Sequence, residues 1–146
     1  MSNYVTYLDE STNVVKSKRK LSKVIQIGIY LIVWSVTILT FWFASAPDDA
    51  MGYALMTFYL VLPVVTFIIS LIIGKDSGWG KIKWLMPVFF GIMYMLADYA
   101  TFSLANMKSN SFDEFNMPEF GMIIPGVVIS LIGIGIGAII NYANRK

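Results

Sequence analysis

Apolar positions along the chain gather into four long runs, 24–43, 51–74, 84–107 and 120–143, separated by short polar stretches. A helix crossing the hydrocarbon core of a bilayer needs about 20 predominantly apolar residues. Each run meets that length, so the pattern predicts four transmembrane helices. Residues 1–23 show no sustained apolar period and end in the cluster Lys16, Lys18, Arg19, Lys20 and Lys23, which reads as a basic cytoplasmic tail. The stretch 74–83 (GKDSGWGKIK) reads as a tight Gly-rich turn with Trp79 at the membrane interface.

Two details qualify the first two runs. After the first run, Ala44-Ser45-Ala46 resembles the end of a cleavable leader. The run exceeds the usual leader core of about 7–15 residues, and Pro47 follows directly, so an uncleaved first helix is expected. The second run contains Pro63, which predicts a kink near its middle, tolerated where a neighbour satisfies the freed carbonyl.

Composition removes the soluble alternative. Of 146 residues, 57% are hydrophobic and 14% charged, against about 25% charged in ordinary soluble domains. Mean hydropathy is +0.67 over the whole chain. The expected fold is an all-α integral membrane protein, a four-helix transmembrane bundle forming one domain over 24–146. The absence of Cys and His takes away thiolate chemistry, the commonest metal ligand and the commonest general base. No cofactor, no metal and no enzymatic activity are expected. A net charge of +2 gives no reason to expect nucleic acid.

Charge placement sets the orientation. Five Lys/Arg fall in 1–23, three in 74–83 (Lys75, Lys81, Lys83) and two at the end (Arg145, Lys146), ten of the eleven in the chain. Lys108 shares its side with Asp48, Asp49, Asp113, Glu114 and Glu119. The positive-inside rule then predicts a multi-pass protein of the plasma membrane with both termini cytoplasmic. The basic cluster also suits anionic lipid headgroups. Asp48 and Asp49 before the second run, and Asn116-Met117-Pro118-Glu119 before the fourth, read as helix caps and first-turn acids.

Three patterns bear on chemistry. Gly133-x-Gly135-x-Gly137 lies inside an apolar helix, where a dinucleotide fingerprint has neither strand nor crevice. Gly133-x-x-x-Gly137, extended by Ser130 and Gly126, is instead a small-residue packing stripe, expected to serve the bundle itself; Ile134, off the stripe, is expected to tolerate Leu. Met51, Met56, Met107, Met117 and Met122 lack the close spacing of a Cu(I) site and read as packing filler.

The third pattern is Asp98, the acid inside an apolar run. Gly91, Tyr94, Thr101 and Ala105 share its helical face, so it is expected to point into the bundle. Counting about fifteen residues from each basic anchor places Thr37, Tyr59 and Ser130 at its level. Asp98, Tyr59, Thr37 and Ser130 thus form the expected polar cluster, either an ion or proton site or a hydrogen-bonded pin of helix register. The residues favour a non-enzymatic accessory or interaction subunit of a membrane complex. An oligomeric proton- or cation-coupled transporter or channel using Asp98 is the alternative. Expected partners are the lipid bilayer and either a larger membrane complex or further copies of the chain.

Overall fold

The computed structural model describes residues 2–44, 52–53, 56–105 and 117–144, and the described residues are helical apart from short connections. Four helices are long and apolar enough to cross a membrane.

The first, α1, runs unbroken over Ser2–Ala44, 43 residues. It therefore begins well before Val24. No Gly or Pro interrupts residues 2–27, and the Lys, Arg and Leu of the basic cluster are good helix formers. At 1.5 Å per residue α1 is about 64 Å long, roughly twice a hydrocarbon core.

The second helical span, α2, covers Thr57–Lys75 and opens in a π-turn, Thr57–Val61, just ahead of Pro63. Leu62 N–H reaches back five residues to the Thr57 carbonyl. In that register the Phe58 carbonyl needs a donor from residue 63, which proline lacks. The expected backbone disturbance at Pro63 thus takes the form of a widened turn, and a neighbour supplies the missing donor: Tyr94 Oη donates to the Phe58 carbonyl at 2.8 Å.

The third span, α3, covers Ser77–Ser103. Its opening turns, Ser77–Leu85, are 3-10 helix broken at Gly80, which sits at φ +54. Asp76 caps this segment, accepting from Gly78 N at 2.8 Å. The expected turn is therefore largely helical, and Trp79 is buried at 5% exposure. The α-helical part is Met86–Asp98, followed by a second π-turn, Tyr99–Ser103. There, Leu104 N–H bonds the Tyr99 and Thr101 carbonyls, while the Ala100 carbonyl takes the Trp42 indole N–H at 3.0 Å.

The fourth span, α4, covers Phe120–Ala143. Glu119 occupies its cap position without a side-chain capping bond. Glu119 was expected inside the first turn, and Asn116, Asp48 and Asp49, the expected caps, lie outside the described residues.

Small residues set the packing of α4. A Cβ added at Gly133 would meet Ser70 Cβ at 2.7 Å and the Phe67 carbonyl at 2.9 Å; one at Gly137 would meet the Leu71 carbonyl and Lys75 N. A Cβ at Gly126 would strike Gly91 Cα at 2.9 Å. Gly133 and Gly137 therefore seat α2, while Gly126 seats α3, and the stripe serves two neighbours within the bundle. Matched pairs give the directions: 133 with 70 and 137 with 74 make α2 and α4 parallel, and 126 with 91 and 141 with 77 make α3 and α4 antiparallel. Ile134, expected to lie off the stripe, is wholly buried, with its backbone against Gly74.

The α1 helix is held differently. It packs on α2 and α3 and is tied by side-chain hydrogen bonds: Trp79 Nε1 to Gln26 Oε1 at 2.9 Å, Trp34 Nε1 to the Met93 carbonyl at 2.9 Å, Trp42 to Ala100, and Tyr53 Oη to the Thr37 carbonyl at 2.7 Å. The core clusters around Tyr30, Ile69, Ile73, Phe90 and Met93, and around Phe58, Leu62, Tyr94 and Ala97.

Candidate functional site

Asp98 ends the α-helical part of α3, immediately before the π-turn. It is buried at 7% exposure, and Gly91, Tyr94 and Thr101 on the same face are buried too. The side chain therefore points into the bundle. Among the described residues no hydrogen bond is made to its carboxylate. Thr101 Oγ1 donates instead to the Ala97 and Asp98 backbone carbonyls, at 2.8 and 3.3 Å. Among the described residues, Glu119 at the start of α4 is a charged group close enough to act on Asp98 from another helix.

The four expected cluster residues do not come together. Ser130 is wholly buried but accepts from Ser70 Oγ at 2.9 Å. With Gly91 level with Gly126, residue 98 stands level with about residue 119, so Ser130 lies about 16 Å away along the axis. Counting from Lys83 misplaced the level because the helix starts at Ser77, opposite Asn141. Tyr59 is 78% exposed and points out of the bundle, since the π-turn re-aims the side chains around it. Thr37 is buried near the right level, yet its hydroxyl donates to Val33 of its own helix at 2.9 Å. It lines a groove of about 560 Å³ between α1 and α2, with Thr40, Tyr53 and Thr57.

Tyr94 occupies the place that Tyr59 was expected to take. It is 1% exposed, one turn from Asp98, and borders a cavity of about 320 Å³ with Phe58, Pro63, Met122 and Pro125. Its hydroxyl satisfies the Pro63 defect, so Tyr94→Phe should leave the Phe58 carbonyl unpaired and destabilise the fold by about 1–3 kcal/mol. Thermal melting in detergent checks this, with Tyr59→Phe, on the exposed side, expected to melt like the parent.

Sequence reasoning missed a second polar set. Gln26 accepts from Trp79, and Gln26 Nε2 donates to Ser22 Oγ at 3.1 Å. Tyr30 and Thr66, both wholly buried, place their hydroxyls near each other without closing a hydrogen bond. The available signal was Gln26 itself, a polar residue early in an apolar run, with Thr66 and Ser70 one turn apart in another.

The arrangement offers a carboxyl buried at a helix-register defect, a second acid at the neighbouring helix start, and no grouping of three or more acids among the described residues. It suits binding a proton or a single cation and holds no nucleophile–base pair. The chain matches no protein-family model, no curated protein and no solved structure.

Proposed function

We propose that this chain is a multi-pass protein of the plasma membrane, both termini cytoplasmic, that acts as a non-enzymatic accessory or interaction subunit of a membrane complex. The membrane part of the reading rests on the surface. Exposed residues on all four helices are large and apolar, among them Ile29, Ile68, Ile92 and Ile139, as lipid-facing positions are. The orientation rests on Lys23, Lys75, Lys81 and Lys83 sharing the end of the bundle where α4 finishes.

One observation carries the subunit reading: the exposed stretch of α1 that precedes Val24. Residues Thr12–Leu21 are exposed on every side, Val14 and Val15 at 49% and 48%. Helical propensity alone gives a short helix little stability in water, so exposed side chains such as Val14 and Val15 on a continuous helix are explained as a surface that docks on another chain. A photocrosslinking residue at Val14 should give one discrete protein adduct in cells, whereas one at Ile132 should label lipid. No protein adduct at Val14 would sink the subunit reading. Cysteines at Ser17 and Ser77 should label from the cytoplasm, and those at Ser45 and Ser111, outside the described residues, from the other side.

The second reading, an oligomeric proton- or cation-coupled transporter or channel, is favoured by a separate observation. Asp98 stands at a π-turn, a feature frequent at functional sites, with Glu119 acting on it from α4. A proteoliposome flux assay on Asp98→Asn tests it.

A further inference from the structure

We infer that the groove between α1 and the start of α3 is a binding site for one anionic phospholipid. The groove encloses about 490 Å³ and is lined by Lys23, Ile27, Gly28, Leu31, Trp79 and Ile82 among others. Its two ends differ in chemistry. At one end the Lys23 ammonium lies 5.4 Å from the centroid of the Trp79 ring. From there the floor runs along α1 to Leu31, eight residues or about 12 Å, and every further lining side chain is apolar. That is the layout of a headgroup contact above an acyl-chain channel.

Three observations make it a built site. The wall is fixed, because Trp79 is buried and its indole N–H is held by Gln26 at 2.9 Å. The channel is open at Gly28, where an added Cβ would meet nothing within 4 Å. The charge is complementary to an anion: Arg19, Lys20 and Lys83 stand at the same end, and Asp76 is occupied in capping Gly78. Each basic residue close to an anionic surface adds to the attraction, and Lys23 places one of them at the mouth of a groove that fits a chain.

The inference rests on the membrane reading above, but it is tested on the purified full chain in uncharged detergent micelles, whatever the partner or orientation. Loss of the Val14 adduct therefore leaves it standing, and its own failure leaves the subunit reading intact. Dioleoylphosphatidylglycerol should raise the melting temperature by at least about 4 °C, whereas dioleoylphosphatidylcholine and glycerol 3-phosphate should not. Lys23→Gln should lose most of the rise, and Gly28→Leu, which fills the channel, should lose it while melting normally without lipid. Lys81→Gln, at an exposed position outside the groove, should keep it. An equal rise with phosphatidylcholine would remove the charge requirement, and a full rise with glycerol 3-phosphate or a short-chain phosphatidylglycerol would remove the channel. A loss in Lys81→Gln as large as in Lys23→Gln would show diffuse surface charge. Any of these three overturns the site. If Gly28→Leu does not fold, the chain-length comparison and Lys23→Gln decide alone.

Discussion

Gly137→Leu should abolish the folded bundle, and Gly133→Leu should come close to doing so. At Gly137 the first carbon of a side chain would meet the Leu71 carbonyl, with Lys75 N at 2.7 Å and Gly74 Cα at 2.9 Å. All three are backbone, so no rotamer change relieves the clash and α2 must move away. At Gly133 one neighbour is the Ser70 side chain and another the Phe67 carbonyl, at 2.7 and 2.9 Å, which also threatens the Ser70–Ser130 bond directly beneath. Overpacking a tight site costs typically about 1–3 kcal/mol, occasionally more; losing the parallel α2–α4 seam should put both variants at or beyond the top of that range. The control is Gly135→Leu, two residues away, where an added Cβ meets nothing within 4 Å. Melting in detergent, with size exclusion to detect unfolded protein, reads the result. Normal melting of Gly137→Leu would mean that α2 and α4 do not pack as described.

That prediction also marks what the sequence made legible. Four long apolar helices followed from apolar run length, and small-residue spacing marked where α4 packs closely. Which neighbour each glycine meets did not follow, because Gly126 and Gly133, seven residues apart, share nearly the same face at levels about 10 Å apart, and a different helix crosses that face at each level. Asp98 was legible as a buried acid, since the small and polar residues on its face all turn inward. The membership of its cluster was not. Axial level depends on where each helix begins, and the lysine-rich stretch taken as a turn is helical from Ser77, which displaced Ser130 from the level of Asp98. Direction around the axis depends on the two π-turns, and periodicity assumes an undisturbed 3.6-residue repeat, so Tyr59 was assigned inward and Tyr94 was not linked to Pro63. The extension of α1 before Val24 escaped for a third reason: it has helix-forming residues, while the side chains described there, from Thr12 to Leu21, are exposed, and apolar periodicity records only packing.

Asp98→Asn and Asp98→Leu should both fold, and their flux should separate the two functional readings. With Tyr94 donating to Phe58, Thr37 to Val33 and Ser130 paired with Ser70, neither substitution takes a hydrogen bond from these neighbours. Leu at a buried position of this kind removes the cost of holding a polar group away from water, so Asp98→Leu should melt at or slightly above the parent temperature. A structural pin predicts the opposite for Asp98→Leu, a loss of about 0.6–2 kcal/mol, with Asp98→Asn close to the parent because its amide keeps the shape and much of the hydrogen bonding. The absence of a stability role would leave the acid without a reason to be there except chemistry. In proteoliposomes an ion or proton site requires Asp98→Asn, which keeps the shape but cannot ionise, to lose pH-dependent flux entirely, with Glu119→Gln reducing it because the second acid no longer acts on the site. If the wild-type chain alone carries no pH-dependent flux in vesicles of either lipid charge, stand-alone transport falls.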